Sequence, residues 1–376
     1  MTTNAENYQK TLDQICAETI GPSAPEIDRG GAFPVRSLEA LKSAGLMGAV
    51  SAPSVGGLNL GLRGAAEIIR RIARECGSTA MVVTMHYCGV SVLEAYASDS
   101  IRRAAAAGDH LSTLAFSESG SRSHFWAPIS TARRDGGDVV LNARKSWVTS
   151  ASKATAYVWS SRPLQGEGLS TIWLLPADAG GITVHGPFEG LGLRGNDSSP
   201  VSAQDVRIPG SAMLGEDGKG FEIMMSAVLP MFNVLNAACS IGLMETAVER
   251  TARHATATRH EHTDSSLAFL PTIRGYIARM RMKTDMARTL LDDTISAIET
   301  GRSDAMLRVL ECKAAAGETA TEVLDLAMRV CGGSAFRRDE GVERYFRDTR
   351  AAGVMAPTTD VLYDFIGKAV CGMDLF

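Results

Sequence analysis

The segment Ser117-Glu-Ser-Gly-Ser-Arg-Ser-His124 is the part of the chain where side chains able to do chemistry are densest. Hydroxyl groups and the backbone amides of a loop of small residues can donate hydrogen bonds to an anion. Glu118 and His124 add a carboxylate and an imidazole, two groups that commonly move protons in active sites. The loop therefore suits an anionic or flavin ligand, although an ordinary surface turn uses similar residues.

Two other patterns could indicate a ligand site. Gly190-Leu-Gly-Leu-Arg-Gly195 fits the G-x-G-x-x-G motif of dinucleotide-binding folds. That motif requires a helix to begin at the glycines, whereas Asn196-Asp-Ser-Ser-Pro200 follows here. His254, His260 and His262 form a cluster, but their spacing does not place them on one helix face. The sequence thus predicts neither a Rossmann-type nucleotide site nor a metal site, because a metal needs convergent ligands.

The composition excludes other classes of protein. The chain has 376 residues, a net charge of -4 and 45% hydrophobic residues, so it gives no electrostatic basis for binding nucleic acid or an anionic membrane. Its apolar stretches fall short of the roughly 20 residues that a membrane span needs, and its polar N-terminus does not resemble a signal peptide. Seven scattered cysteines without a C-x-x-C motif are interpreted as reduced thiols. These features predict a cytoplasmic protein without a membrane span.

Hydrophobic periodicity divides the chain into three parts. Residues 1–110 carry apolar residues at helical spacing. Residues 111–215 are rich in Thr, Val, Trp, Ser and Gly, with short apolar runs between turns, and Asp135-Gly-Gly-Asp138 is typical of a hairpin. Residues 216–376 return to long amphipathic helices, which favour lateral packing and association of subunits. The pattern predicts a helical domain, a β domain and a second helical domain, with these boundaries.

Several segments resemble, in the same order, the motifs of the acyl-CoA dehydrogenase family. Leu114-Ala-Phe-Ser-Glu-Ser-Gly-Ser-Arg-Ser-His124 resembles A-x-T-E-P-G-A-G-S-D, and Val140-Leu-Asn-Ala-Arg-Lys-Ser-Trp-Val-Thr149 resembles L-N-G-x-K-x-W-I-T. The other matching segments are Gly56–Gly61, Leu191–Asp197, Asp205–Pro209, Leu214–Phe221, Cys331–Phe336 and Arg347-Asp348. Together the matches run from about residue 40 to residue 368, and their order and spacing make the resemblance specific.

This resemblance implies an α+β multidomain fold: an N-terminal α-helical domain, a central β-barrel or sandwich domain and a C-terminal four-helix bundle. It also implies a flavin, usually FAD, between the β domain and the bundle, an acyl thioester as substrate, and a homodimer or homotetramer. By position, the residues implied to contact the flavin are Phe116, Ser117, Trp147, Thr149 and Thr358. Arg259 and Gly333 would approach the FAD of a neighbouring subunit, and Ser123 would contact the thioester ligand.

The sequence departs from the family at the residue that takes the substrate proton. The family's usual catalytic Glu is replaced by Ala356, and Pro357 follows where the family has Gly. Some members carry the base at a second position, on an earlier helix. The corresponding segment here, Val228–Val234, contains no carboxylate. In the same segment, Phe232 replaces an arginine that helps to bind CoA. The segment after Arg259 also lacks the Phe and Gln that usually help to build the FAD site between subunits.

The missing glutamate leaves several functions open. A dehydrogenase with a relocated base could use Asp360, Glu118 or His124, although Asp360 could equally be a first-turn residue that faces the helix dipole. A flavin monooxygenase on this fold, which binds reduced flavin, needs no such base. A different elimination or ring closure on a tethered thioester is also compatible with the sequence, and so is a degenerate scaffold subunit. The sequence favours an FAD-dependent oxidoreductase acting on a thioester of CoA or a carrier protein, with FMN or reduced flavin as less favoured cofactors.

Overall fold

The N-terminal part of the protein is a layer of helices around one strongly buried helix. The structure, a computed structural model, describes residues 7–121 and 123–375. The helices of this part are α1 (Tyr8–Ile15), α2 (Gly21–Gly30), α3 (Val35–Ser43), α4 (Gly61–Ala73), α5 (Gly77–Tyr96) and α6 (Asp99–Ala107). Helix α5 is apolar around most of its circumference and is buried accordingly between α4, the β domain and the C-terminal helices.

The central part is a pair of four-stranded sheets. Its strands are β1 (Ser112–Ala115), β2 (Thr131–Asp135), β3 (Asp138–Val148), β4 (Ala156–Ser161), β5 (Thr171–Pro176), β6 (Ile182–Val184), β7 (Ser199–Pro209) and β8 (Met213–Leu214). One sheet has the order β1-β4-β5-β8 and the other β2-β3-β7-β6. Trp159 and Trp173 of the first sheet share a core with Leu141 and Val206 of the second, which makes a sandwich. The predicted hairpin at Asp135–Asp138 is confirmed.

The C-terminal part is a helical bundle. After α7 (Gly220–Ile223) and a π-helical turn come α8 (Leu229–Ala257), the short strands β9 (Arg259–His260) and β10 (Ser265–Ser266), α9 (Pro271–Glu299), α10 (Ala305–Cys331), α11 (Val342–Val354) and α12 (Thr359–Val370). Helices α8 to α11 pack on one another, and α12 packs on α10. Pro230 lies just after the π-helical turn, and its missing N–H explains why the regular hydrogen-bond ladder is interrupted there. The predicted three-part fold is confirmed.

The helical stretch Gly220–Ala257 is long and apolar enough to cross a membrane. However, 83% of its apolar window is buried inside the protein. The apolar composition of this stretch is therefore explained by its burial at the centre of the bundle.

A buried histidine links the helical layer to the first sheet. The backbone N–H of Ser112 donates to Nδ1 of His86 (3.2 Å), so the proton of the neutral ring lies on Nε2, which donates to the carbonyl of Met47 (3.1 Å). Both ring nitrogens are satisfied only in the neutral form, since a proton on Nδ1 would abolish the bond from Ser112. Burial lowers the pKa of His86 from 6.5 to about 4. His86 is thus a structural residue.

Acid is expected to destabilise the protein through His86. The pKa of His86 is lower in the folded protein than in the unfolded chain. The contribution of neutral His86 to the free energy of unfolding is therefore complete above pH 6.5 and is lost as the pH falls towards 4. A shift of this size corresponds to at most about 3 kcal/mol. Urea titrations across this pH range measure the free energy of unfolding. This free energy should depend less steeply on pH in His86→Gln than in wild type. The exposed His262, changed to Gln, serves as control, and equal slopes for all three proteins would contradict the prediction.

Candidate active site

A cavity of about 880 Å³ lies where the β domain meets the helices. Its wall is formed by α5, β1, the loop after β1, the end of β3, the loop before β7, the start of α8 and the turn between α11 and α12. A cavity of this size can enclose a cofactor or a drug-sized ligand. The loop Ser117–His124, in which the sequence analysis located possible chemistry, contributes to this wall.

A buried ion pair fixes the loop after β1. Nζ of Lys145 donates to a carboxylate oxygen of Glu118 (2.5 Å) and to the backbone oxygen of Ser160 (2.8 Å). The second oxygen of Glu118 accepts from the backbone N–H groups of Ile129 (2.8 Å) and Ser130 (3.1 Å). Glu118 and Lys145 are 2% and 0% exposed, so solvent screens their attraction very little. The pair connects the loop to β3, to β4 and to the segment before β2.

The same ion pair decides which role suits Glu118. Burial alone would raise the pKa of Glu118, but the charge and hydrogen bond of Lys145 outweigh it, and the pKa lies below its ordinary value. A carboxylate held in this way has little tendency to take a proton from a substrate. The geometry therefore favours a structural role for Glu118 rather than the role of relocated base. Sequence reasoning missed Lys145, because it lies among the polar residues Asn142, Arg144 and Ser146 of β3 and no residue pattern marks it as buried.

The residue expected beside the flavin ring, Trp147, presents its indole at the cavity. Its side chain is 63% exposed and stacks on Phe188 with the ring centroids 4.0 Å apart. Trp147 also has a left-handed backbone conformation, with φ of 56°. Bulky residues rarely adopt such a conformation unless the surrounding structure requires it, and ligand sites are where such strain collects. Phe188 is a lining residue that sequence reasoning missed, because it lies just before the glycine-rich segment of this loop and belongs to no motif.

A second strained segment also lines the cavity. Leu193 has φ of 51°, and its backbone N–H donates to Asp348 (2.6 Å). Arg347 donates to the carbonyl of Leu191 (3.1 Å) and forms an ion pair with Asp28 (2.6 Å). Burial raises the pKa of Asp348 to about 6. The Arg347-Asp348 pair thus ties the glycine-rich segment to α11. This segment runs into β7 and not into a helix, in agreement with the prediction that no Rossmann-type site begins here.

The turn that carries Ala356 closes another side of the cavity. The backbone N–H of Thr358 donates to Oγ of Ser123 (3.2 Å), so this turn contacts the loop after β1 directly. Ala356, Thr358 and Phe232 line the cavity. No carboxylate lies among the described residues of the turn from Met355 to Thr358. The methyl group of Ala356 therefore forms this part of the wall.

The structure brings most of the predicted site residues into one wall. Those that line the cavity are Phe116, Ser117, Glu118, Ser123, His124, Trp147, Thr149, Phe232, Ala356 and Thr358. Asp360 does not line it: this residue is exposed in the first turn of α12, where a carboxylate favours the helix dipole. Arg259, on β9, and Gly333, after α10, also lie away from the cavity of their own chain.

His124 differs from the other titratable residues of the cavity wall. Its ring is exposed and meets the ring of Trp126 edge-on, with the centroids 5.1 Å apart. Of the other ionisable side chains that the structure describes in this wall, Glu118 is ion-paired and Arg194 donates to the carbonyl of Asp28 (2.8 Å). Among the described ionisable side chains of the wall, His124 is thus the one whose polar atoms make no ion pair or hydrogen bond to another described residue.

The residues present fit a flavin. A flat aromatic cofactor requires an exposed π surface, which the Trp147–Phe188 stack provides, and polar groups at its edge, which Ser117, Thr149 and Thr358 provide. The strained conformations of Trp147 and Leu193 support the same conclusion.

The Trp147→Ala variant is expected to retain flavin less well. Loss of an aromatic stacking partner costs about 0.5–1.5 kcal/mol, which corresponds to a roughly 2- to 13-fold rise in the dissociation constant. Fluorescence titration of the apoprotein with FAD measures this change. Tyr96→Ala is the control, because Tyr96 is exposed and lies outside the cavity. Equal affinities of Trp147→Ala and wild type would remove Trp147 from the flavin site.

Three family models match the chain in succession: "Acyl-CoA dehydrogenase, N-terminal domain" over residues 2–107, "middle domain" over residues 113–206 and "C-terminal domain" over residues 218–371. The chain is 27% identical to the short-chain specific acyl-CoA dehydrogenase of Homo sapiens, over 94% of this chain and 86% of the relative. It is 26% identical to cyclohex-1-ene-1-carbonyl-CoA dehydrogenase of Geobacter metallireducens, over 97% and 98% of the two chains.

Solved structures show the same fold. Butyryl-CoA dehydrogenase from Megasphaera elsdenii superimposes with a TM-score of 0.90 at 20% identity, covering 99% of both chains. The prolyl acyl carrier protein oxidase AnaB superimposes with a TM-score of 0.90 at 17% identity, covering 97% of this chain and 98% of the other. With its fold, its cavity and three consecutive domain matches, the chain belongs to the acyl-CoA dehydrogenase family, whose members are flavin-dependent oxidoreductases that act on the CH–CH group of acyl-CoA.

Proposed function

We propose that this protein is an FAD-dependent oxidoreductase that removes hydrogen from an acyl thioester, with His124 as the base in place of the missing glutamate. The observation that carries this proposal is the contact between two walls of the cavity. The hydrogen bond from Thr358 to Ser123 joins the turn that lacks a carboxylate to the loop that carries His124. A base on this loop can face the same part of the cavity as residue 356.

The roles of the other residues follow from their positions. Phe116, Ser117, Trp147, Thr149 and Thr358 would hold FAD, which when bound supplies the hydride acceptor. Oγ of Ser123 would orient the thioester.

The acyl chain would lie against the apolar side chains of Val228, Leu229 and Phe232. This apolar wall excludes water from the reacting carbons. A ring nitrogen of His124 would then accept the α-proton of the substrate.

The thioester is proposed to be one carried by CoA or by a carrier protein. Phe232 stands where the family has an arginine that helps to bind CoA, and a buried phenyl ring (8% exposed) cannot make the same ionic contacts. This difference favours a substrate attached to a carrier protein. AnaB, which shares the fold, is described as a prolyl acyl carrier protein oxidase.

The active form is proposed to be a homodimer or homotetramer. Arg259 and Gly333 lie outside the cavity of their own chain, which agrees with a role towards the FAD of a neighbouring subunit. Phe269 and Phe336, in the segments after Arg259 and Gly333, are 71% and 82% exposed, and α9 exposes Met282 and Met286. Apolar side chains exposed to this extent are typical of a surface covered by another subunit. Analytical ultracentrifugation measures the assembly, and a monomer at micromolar concentration would contradict this part of the proposal.

The visible spectrum of the purified protein, with the released cofactor identified, tests the function directly. Bound FAD that butyryl-CoA or butyryl-pantetheine bleaches without oxygen would support the dehydrogenase. An apoprotein that binds only reduced flavin and then hydroxylates a substrate would support the monooxygenase, which needs no carboxylate at residue 356. The absence of bound flavin in both redox states would support the scaffold and overturn the proposal.

The Ala356→Glu variant is expected to exchange the α-proton of butyryl-CoA faster than wild type, because it adds a second base to His124. The new carboxylate would stand where the family has its base, and positioned bases contribute about 10²–10⁴-fold. Incorporation of deuterium from solvent into butyryl-CoA, followed by proton NMR, measures the gain. Ala356→Gln is the control, because it has a similar volume without a basic carboxylate. Equal exchange in both variants would show that the cavity does not present acyl-CoA to residue 356.

A further inference from the structure

Behind the turn that carries Ala356 lies a buried lysine. Lys313 of α10 is 1% exposed, and its Nζ donates to the backbone oxygens of Ala352 (3.0 Å), Met355 (3.0 Å) and Pro357 (2.8 Å). A lysine ammonium has three N–H donors, so these carbonyls use all of them. No carboxylate within ion-pair distance of Lys313 occurs among the described residues.

The three carbonyls explain how a charge can be buried without a carboxylate. Ala352 lies in the last turn of α11, whose final carbonyls have no partner within the helix and carry the negative end of its dipole. The oxygens of Met355 and Pro357 extend this acceptor group into the turn before α12. Burial nevertheless lowers the pKa of Lys313 to about 7, so keeping a lysine here is costly.

The turn that Lys313 holds is the part of the cavity wall at which the family has its base. Met355, Ala356 and Thr358 line the cavity, and Thr358 makes the hydrogen bond to Ser123. Lys313 also lies behind Phe232, with Nζ 6.0 Å from the ring centroid. A single ammonium group therefore contacts the rear of two adjacent parts of the wall.

We propose that Lys313 is a positioning residue that sets the conformation of the Ala352–Pro357 turn, and through it holds Ala356 and Thr358 at the reacting end of the cavity. The consequence for turnover rests on the proposed function, whereas the conformation of the turn does not. Lys313 itself does not line the cavity, so its effect on catalysis is indirect.

Hydrogen–deuterium exchange of Lys313→Met and Lys313→Gln tests the proposal without turnover. Amides of residues 353–356 and 358 are expected to exchange at least about 10-fold faster than in wild type, while peptides from α9 and the β domain remain unchanged. Lys283→Met is the matched control, because Lys283 lies in the same bundle but pairs with Glu322 instead. Unchanged exchange of residues 353–358 in both variants would overturn the proposal. Failure of both variants to fold would also overturn it, since the proposed effect is confined to one turn.

Turnover of butyryl-CoA provides the second readout. A misplacement of about 1 Å at a reacting site can cost roughly 10²-fold in rate. For Lys313→Gln we expect kcat to fall about 10- to 100-fold and KM to change much less. Equal kcat values for Lys313→Gln and wild type, despite faster exchange of the turn, would overturn its positioning role. If wild type does not turn over butyryl-CoA, the proposed function fails with this substrate, and the exchange measurement alone decides the role of Lys313.

Discussion

The Lys145→Met variant is expected to lose about 3–5 kcal/mol of unfolding free energy, because it leaves Glu118 as an unpaired charge inside the β domain. Both side chains are almost completely buried, so water cannot replace the lost partner. Trp159, whose ring centroid lies 5.2 Å from Nζ, is a nearby reporter. Urea unfolding followed by tryptophan fluorescence therefore measures the transition of this domain.

The double variant Lys145→Met/Glu118→Gln separates the loss of the pair from the cost of the charge left behind. We expect it to be more stable than Lys145→Met, because the neutral amide is less costly to bury than a carboxylate. Lys219→Met should remain close to wild type, since the ion pair of Lys219 with Glu222 is more than half exposed. A Lys145→Met variant as stable as Lys219→Met would show that Glu118 is not charged in the folded protein.

The His124→Asn variant is expected to lower kcat about 10²–10⁴-fold with the acyl thioester that reduces the wild type, because the substrate loses its base. Flavin binding should change little, since the stacking surface belongs to Trp147 and Phe188. Single-turnover bleaching of the flavin by butyryl-CoA measures the rate. Deuterium exchange at the α-carbon measures proton removal separately.

His185→Asn is the matched control for this measurement. His185 bonds to Ser202 in the β domain (2.7 Å) and does not line the cavity, so its replacement should leave kcat unchanged. Addition of free imidazole should partly restore α-proton exchange to His124→Asn and not to His185→Asn. If His124→Asn exchanged the α-proton as fast as wild type, His124 would be excluded as the base. The flavin measurements alone would then decide the dehydrogenase assignment.

Much of the fold follows from local patterns, and the exceptions have local causes. The apolar periodicity predicted that residues 1–110 and 216–376 are helical, and α1 to α6 and α7 to α12 lie within these ranges. The bounds of strand β7 could not be predicted from its own residues, because Pro200 and Asp205 interrupt its apolar alternation, and pairing with β3 and β6 stabilises it. The sequence of helix α11 is charged and has only a weak apolar pattern, and its packing against α8 and α10 compensates for this.

The sequence by itself determined the family and the order of the three domains, since these depend on residue types in a fixed order along the chain. It also predicts that Ala356 stands in place of the family's usual glutamate. Only the tertiary structure decided which candidate bases are available. It pairs Glu118 with Lys145, turns Asp360 away from the cavity and leaves His124 in its wall.

The role of Lys313 is the clearest case of this division. Lys313 lies 43 positions before Ala356 in the sequence, and no spacing rule connects the two residues. They come together because α10 packs against both α11 and α12, which places one ammonium group behind the turn between these two helices. Contacts between residues far apart in sequence depend on how whole helices pack, and this packing cannot be predicted from local residue patterns.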